Sequence, residues 1–162
     1  MSEILGTLFK YLMALLGVAV VVGILFVAQH KNKATTEAGN LTQLATNVSS
    51  TYSGQATFTG LSTAVCANLA PPGMSPPGTS TLVNQWGQAV TCAVDANAAQ
   101  FDVVENGVAS DGCADLVNHM KSYVSLTLNG TTYTTATPLD AGTATTACNA
   151  AATQTITFVF GK

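Results

Sequence analysis

The sequence predicts an α+β fold: a long amino-terminal helix, then strands, a second helix and further strands. Three observations predict it. Residues Ile4 to Ala28 carry one charge, Lys10, and a helical pattern continues without a break to about Tyr52. Beyond Gly54, apolar positions alternate in short runs bounded by turn residues. Between those runs Asp111 opens a segment with Leu116, Val117 and Met120 on one helical face. Three parts follow: 1–29, a hydrophobic helix; 30–53, its amphipathic continuation; and 54–162, a globular head.

The first helix has two characters. Twenty or so apolar residues are a membrane-spanning length. At about 1.5 Å per residue the whole helix is a rod on the order of 75–80 Å. Its second half reads Ala34, Ala38, Leu41, Leu44, Ala45, Val48 and Tyr52, steps of three and four that make one apolar stripe. Thr, Asn, Gln and Ser fill the other face, so packing against a sheet must hold this half. Ser53-Gly54 ends it.

The head begins with a loop punctuated by Pro71-Pro72-Gly73 and Pro76-Pro77-Gly78, with a short helix near Ser62 to Leu69 carrying Cys66. Gln88 to Val94 and Gln100 to Glu105 read as strands joined by a turn around Asp95 to Ala98, and Asn106-Gly107 closes that unit. Tyr123 to Leu128 and Thr131 to Thr135 form a hairpin about Asn129-Gly130. A polar stretch runs to Asn149. Thr153 to Phe160 closes the chain, with Ile156, Phe158 and Phe160 pointing one way.

Composition narrows the function. The 162 residues contain no arginine, and only Lys121 and Lys162 of the lysines lie in the head. Nucleic-acid binding by the head would need a basic face and is not expected. Cys66, Cys92, Cys113 and Cys148 show no zinc spacing. An even number behind a membrane segment reads as two disulfides in an oxidising compartment. Three pairings are open; the sequential one, Cys66–Cys92 and Cys113–Cys148, closes two medium loops and is preferred.

Charges on the arm conflict with that compartment. His30, Lys31 and Lys33 follow the apolar run, which by charge bias would hold the head in the cytoplasm. A basic leader once preceding Met1 and since removed resolves the conflict, making Met1 a processed terminus. Glu3 and Lys10 lie two helical turns apart on one face; either they meet between neighbouring helices shifted along the axis, or Lys10 snorkels to the headgroups and Glu3 sits in the interface. Gly17 and Gly23 permit close helix approach in a membrane, or else mark a stretch that loosens when the helix passes from lipid to a protein core.

These features together resemble a type IV pilin, specifically the type IVb group of conjugative-plasmid thin-pilus subunits and toxin-coregulated or longus-type pilins. The resemblance is carried by the two-part helix with an early acid and by Asn84-Gln85-Trp86-Gly87 before a strand. A Cys-bearing helix, Cys113 to Lys121, and a Cys followed by an aromatic strand, Cys148 to Lys162, complete it. The resemblance implies a spine helix laid on an antiparallel sheet, with Cys113 and Cys148 bounding a carboxy-terminal region. It implies a homopolymer whose spine helices bundle in a filament on the bacterial surface. It also implies an inner-membrane stage, a prepilin peptidase that trims and methylates the terminus, and an ATPase-driven assembly machine. The family's early acid is usually Glu at the fifth mature position, where it neutralises a neighbour's terminal amine; here Glu3 is the candidate. Cleavage after Gly6 would leave no early acid and is disfavoured.

The expected function is therefore that of a major pilin serving adhesion, cell–cell contact or mating aggregation, with a recipient or host surface as partner. The alternatives are a minor pilin or pseudopilin, and a monomeric membrane-anchored periplasmic binding module. No nucleotide loop, nucleophile elbow, metal motif or cofactor site is found in the sequence. His119 and Asp115 read as a surface hydrogen bond. Asp95, Asp102 and Glu105 read as solvated strand ends, since calcium-loop spacing is missing.

Overall fold

In the computed structural model, backbone is described from Ser2 to Lys162, and side chains at 11–16, 18, 19, 21, 29 and from 32 onward. Met1 and the side chains of Glu3, Lys10, Gly17 and Gly23 lie outside the described residues. Two compact units, Met1–Asn32 and Lys33–Lys162, divide the chain. Among the described residues no helix is long and apolar enough to cross a membrane.

Helix α1 spans Ser2–Thr51. In the second unit Ala34, Ala38, Leu41, Leu44, Val48 and Tyr52 are buried, as the stripe predicts. The polar face satisfies itself: the Thr42, Thr46 and Thr51 hydroxyls each donate to the carbonyl one turn earlier, all at 2.8 Å. Helix α2 (Thr63–Leu69) is capped by Ser62 and receives a bond from α1, Asn47 Nδ2 to the Leu69 carbonyl at 2.7 Å.

The strands are β1 (Leu82–Val83), β2 (Ala89–Val94), β3 (Gln100–Ala109), β4 (Ser125–Leu128), β5 (Thr131–Thr134) and β6 (Thr153–Gly161). They form one antiparallel six-stranded sheet in the order β1-β2-β3-β6-β4-β5. The last strand is thus central. Its inward residues Ile156, Phe158 and Phe160 meet Glu105, Val103 and Phe101 of β3. From the other side Leu128 and Leu126 of β4 oppose Ile156 and Phe158.

Helix α3 (Ser110–His119) buries Leu116 and Val117, with Met120 buried at its end. Asn129 (φ 52°) and Gly130 (φ 76°) make the β4–β5 turn expected of this pair. The disulfides join Cys66 to Cys92 and Cys113 to Cys148.

Two expectations need correction, and one helix goes beyond them. The chain does not stop pairing at Asn106-Gly107. Strand β3 continues to Ala109 through a bulge between Glu105 and Val108, where Gly107 takes φ 61° and absorbs one extra residue. The bulge resets the alternation so that Val108 also points inward. The polar stretch before Asn149 holds a helix, α4 (Ala141–Cys148). Asp140 caps it, accepting from the Gly142 and Thr143 amides at 2.9 and 3.0 Å. Its inward face is only Ala144 and Cys148, too small to show as an apolar stripe. Lastly, Glu105 is not solvated: it is completely buried.

Candidate functional site: the junction of spine helix and sheet

Buried polar groups concentrate where α1 meets the Asn84–Gly87 turn and β3. Glu37 has no exposed surface. It falls in the apolar stripe of α1, three residues after Ala34 and four before Leu41, so helix geometry points it into the core. Glu105 alternates with Phe101 and Val103, and pairs with Val90 and Ile156, in the apolar face of the sheet.

Asn84 organises the turn between them. Its Oδ1 accepts from the Trp86 and Gln88 amides at 3.1 and 2.9 Å, and its Nδ2 donates to the Asn106 carbonyl at 2.8 Å. Gly87 completes the turn at φ 76°. This geometry frees the Gln85 N–H to donate to Glu37 Oε2 at 3.0 Å. A turn in the head thus holds the spine helix through one carboxyl acceptor. Trp86 lies against Gly112 of α3, where a Cβ would stand 2.5 Å from Cζ2 of the indole.

That contact yields a paired prediction. Gly112→Ala should lower stability by about 1–3 kcal/mol through overpacking against the rigid ring. Gly39→Ala, on the same long helix as Glu37 but facing open space, should raise stability by up to about 1 kcal/mol through helix propensity. Thermal unfolding of both variants checks the opposite signs; equal shifts would dismiss the Trp86–Gly112 contact as a constraint.

The electrostatics are those of a pair of acids without a cation. Burial pushes Glu37 up to about 7, against the lowering effect of the Gln85 N–H. Burial, and then the charge of Glu37, hold Glu105 well above the usual carboxylate range. Asp102, at the other end of β3, is raised to about 6 by partial burial and by Asp95. Among the described residues no group of three His, Cys, Asp or Glu side chains is placed to hold a metal ion. His119 Nδ1 lies 2.7 Å from the backbone carbonyl of Asp115, rather than from its carboxylate.

A second tie fastens the far end of α1. Lys162 Nζ donates to the Tyr52 carbonyl at 2.8 Å and to the Gln55 carbonyl, and sits 5.2 Å from the centroid of the Phe58 ring. A cation at a helix carboxy terminus suits the local dipole. Sequence reasoning passed over Glu37, Glu105 and Lys162 as functional residues. The signal for the two acids was available, since 34-37-41-44-48 and 101-103-105 are unbroken core patterns with an acid in one slot each. For Lys162 nothing local gave a signal.

Residues 31–161 match the family model described as PilS N terminal. The chain belongs to this family of type IV pilins. The pilin is also similar in fold to TcpA, a type IV pilin from Vibrio cholerae El Tor biotype, whose crystal structure superposes with a TM-score of 0.55. The two are 16% identical, and the match covers 79% of this pilin and 98% of TcpA. No curated protein matches the sequence. The fold is therefore the type IV pilin fold of the type IVb kind, and the role that of a structural subunit. In this pilin the Asn84–Gly87 stretch is the junction turn. Cys113 and Cys148 staple α3 to α4, the segment leading into the central strand β6.

Proposed function

We propose that this pilin is the major subunit of a type IVb pilus and that its work is polymerisation. One observation carries the reading. Tyr11, Leu12, Met13, Leu15, Leu16, Val18 and Val21, large apolar side chains, are each 53% to 70% exposed in the subunit. Such a surface needs lipid or protein around it. In the membrane the arm Ile4 to Ala28 faces lipid; in the filament it faces the arms of other subunits. Burial at about 25 cal/mol per Å² keeps subunits from dissolving out of the filament.

The inner-membrane stage, removal of a leader by a prepilin peptidase, methylation at Met1 and extrusion by an ATPase-driven machine belong to this proposal. So do the division at 29/30 and 53/54, close packing at Gly17 and Gly23, and a partnership of Glu3 with Lys10 or with a neighbour's terminal amine. The finished filament lies outside the cell and serves adhesion, cell–cell contact or conjugative mating aggregation. Material sheared from cells expressing the full precursor should show thin filaments made mainly of this chain by electron microscopy. A trace component in filaments of another subunit would instead indicate a minor pilin. A detergent-soluble monomer with no filaments would indicate an anchored binding module. Glu3→Ala should abolish piliation while leaving the head folded in the membrane fraction; normal piliation would remove Glu3 from assembly.

A further inference from the structure

The two buried acids leave three oxygens without a hydrogen-bond donor: Glu37 Oε1 and both oxygens of Glu105. Glu37 Oε2 is satisfied by Gln85. Each carboxyl acts directly on the other's titration. Two ionised carboxylates cannot face each other in an apolar core without a cation, and a neutral carboxyl supplies the missing donor.

Among the described residues no cation pairs with either acid, and the buried donors Asn40 Nδ2 and Trp86 Nε1, themselves without partners, bond to neither. The Asn84–Gln88 turn, β2, β4 and β6 carry no titratable group besides the disulfide-bonded Cys92. On α1, Lys33 stands one turn before Glu37 at the partly exposed edge and forms no ion pair with it. On β3, Asp102 is out of phase with Glu105 and faces the other side of the sheet. On α3, Asp111 and Asp115 are acids, and His119 is bonded at the helix end. The side-chain amides of Asn40 and Asn84 flank the pair and favour the charged form of Glu37 and Glu105 respectively.

We propose that Glu105 keeps its proton and donates it to Glu37, and that this acid pair is a pH-sensitive latch between the spine helix and the sheet. The shared proton satisfies Glu37 Oε1 and one oxygen of Glu105 in a single O–H···O bond. Its loss leaves two charges facing each other across the junction and drives α1 from the turn. The sign follows from the raised positions of both groups. In the unfolded chain they release protons near the ordinary Glu value of about 4.5. The contribution of the pair is therefore complete below that value. It declines from there up to about 7, where Glu37 loses its own proton and is left accepting the one Glu105 keeps. The decline continues as Glu105 follows. The head grips the spine more firmly in acid than in alkali. The latch belongs to the subunit and holds whether or not the chain polymerises.

The test uses the full chain in detergent micelles. Carboxyl-carbon NMR of labelled glutamate is followed from about pH 4 to about pH 9, with amide exchange of residues 34–48 measured alongside. Two of the glutamate signals should titrate well above the ordinary range. In Glu37→Gln the Glu105 midpoint should fall by about one pH unit or more, because a neighbouring charge is gone and the glutamine N–H can donate to the Glu105 carboxylate. In the wild type, protection of 34–48, corrected for intrinsic exchange, should drop at least about tenfold between pH 5 and pH 9. Glu105→Gln should remove most of that drop. An ordinary midpoint for either buried glutamate in the unmodified protein would overturn the proposal. So would an unmoved Glu105 midpoint in Glu37→Gln, or a pH-independent protection. The unmodified titration decides the matter even if a variant fails to fold.

Discussion

Phe101→Ala is expected to destabilise the head by about 3–5 kcal/mol, the usual cost of truncating a fully buried phenylalanine. The ring has no exposed surface and lies at the middle of an aromatic chain. Tyr52 meets Phe58 at 5.5 Å between centroids, Phe58 meets Phe101 at 4.9 Å edge-on, and Phe101 stacks with Phe160 at 5.4 Å. The chain continues through Phe158 to Tyr123 at 6.3 and 6.1 Å. Its first member is in the segment that ends α1 and its last precedes β4, so one ring joins the spine to both halves of the sheet. The residue also pairs with Val94 and Phe160 at the centre of the sheet. Neighbouring backbone is pinned, so the cavity cannot easily collapse. Since domains of this size are stable by roughly 5–15 kcal/mol, the loss is a large share of the total. Denaturant unfolding checks it, and a cost below about 1 kcal/mol would show that the cluster is not central.

The second large effect is expected from removing the Cys113–Cys148 bridge. The cysteines are separated by 35 residues, and cross-linking a loop of that size restricts the unfolded chain by about 3–4 kcal/mol. The double change Cys113→Ser with Cys148→Ser should cost at least this, because both sites are completely buried and each serine would bring a hydroxyl into the core. Helix α4 packs on α3 and has only Ala144 besides Cys148 to bury, so it depends on the bridge more than on area. The Cys66–Cys92 bridge, with a separation of 26, has local support. The Thr63 hydroxyl donates to the Cys92 carbonyl at 3.2 Å and accepts from the Cys92 amide at 3.0 Å. Its removal should do less harm. Unfolding midpoints of the two double variants and the unmodified chain test the ranking; an unchanged midpoint without Cys113–Cys148 would refute the account.

Asn106-Gly107 is a chain reversal in most local settings, yet here the strand runs through it. Strand β6 continues alongside to Thr153, and Asn106 Nδ2 donates back to the Ala89 carbonyl at 2.9 Å. A strand partner many residues away decided the matter. Helix α4 was hidden because its buried face is an alanine and a cysteine. Its cap, Asp140 followed by Gly142 and Thr143, was the readable sign. Glu105 looked like a strand end because an acid is ordinarily solvated, although its place in the alternation said otherwise.

The sequence alone determined the long helix and the stripe it buries. It also determined the α+β class, the Asn129-Gly130 hairpin and the inward set of the last strand. Each of these rests on periodicity or on the backbone freedom of a single residue, and neither depends on what lies across the core. Only the tertiary structure placed β6 at the centre of the sheet, carried β3 through its bulge and brought Lys162 to the end of α1. It alone set Glu37 against Glu105, 48 residues of chain separating Glu37 from the Gln85 amide it also accepts. Such meetings are fixed by long-range pairing, and a buried acid shows its partner only when the two elements that carry them are packed together.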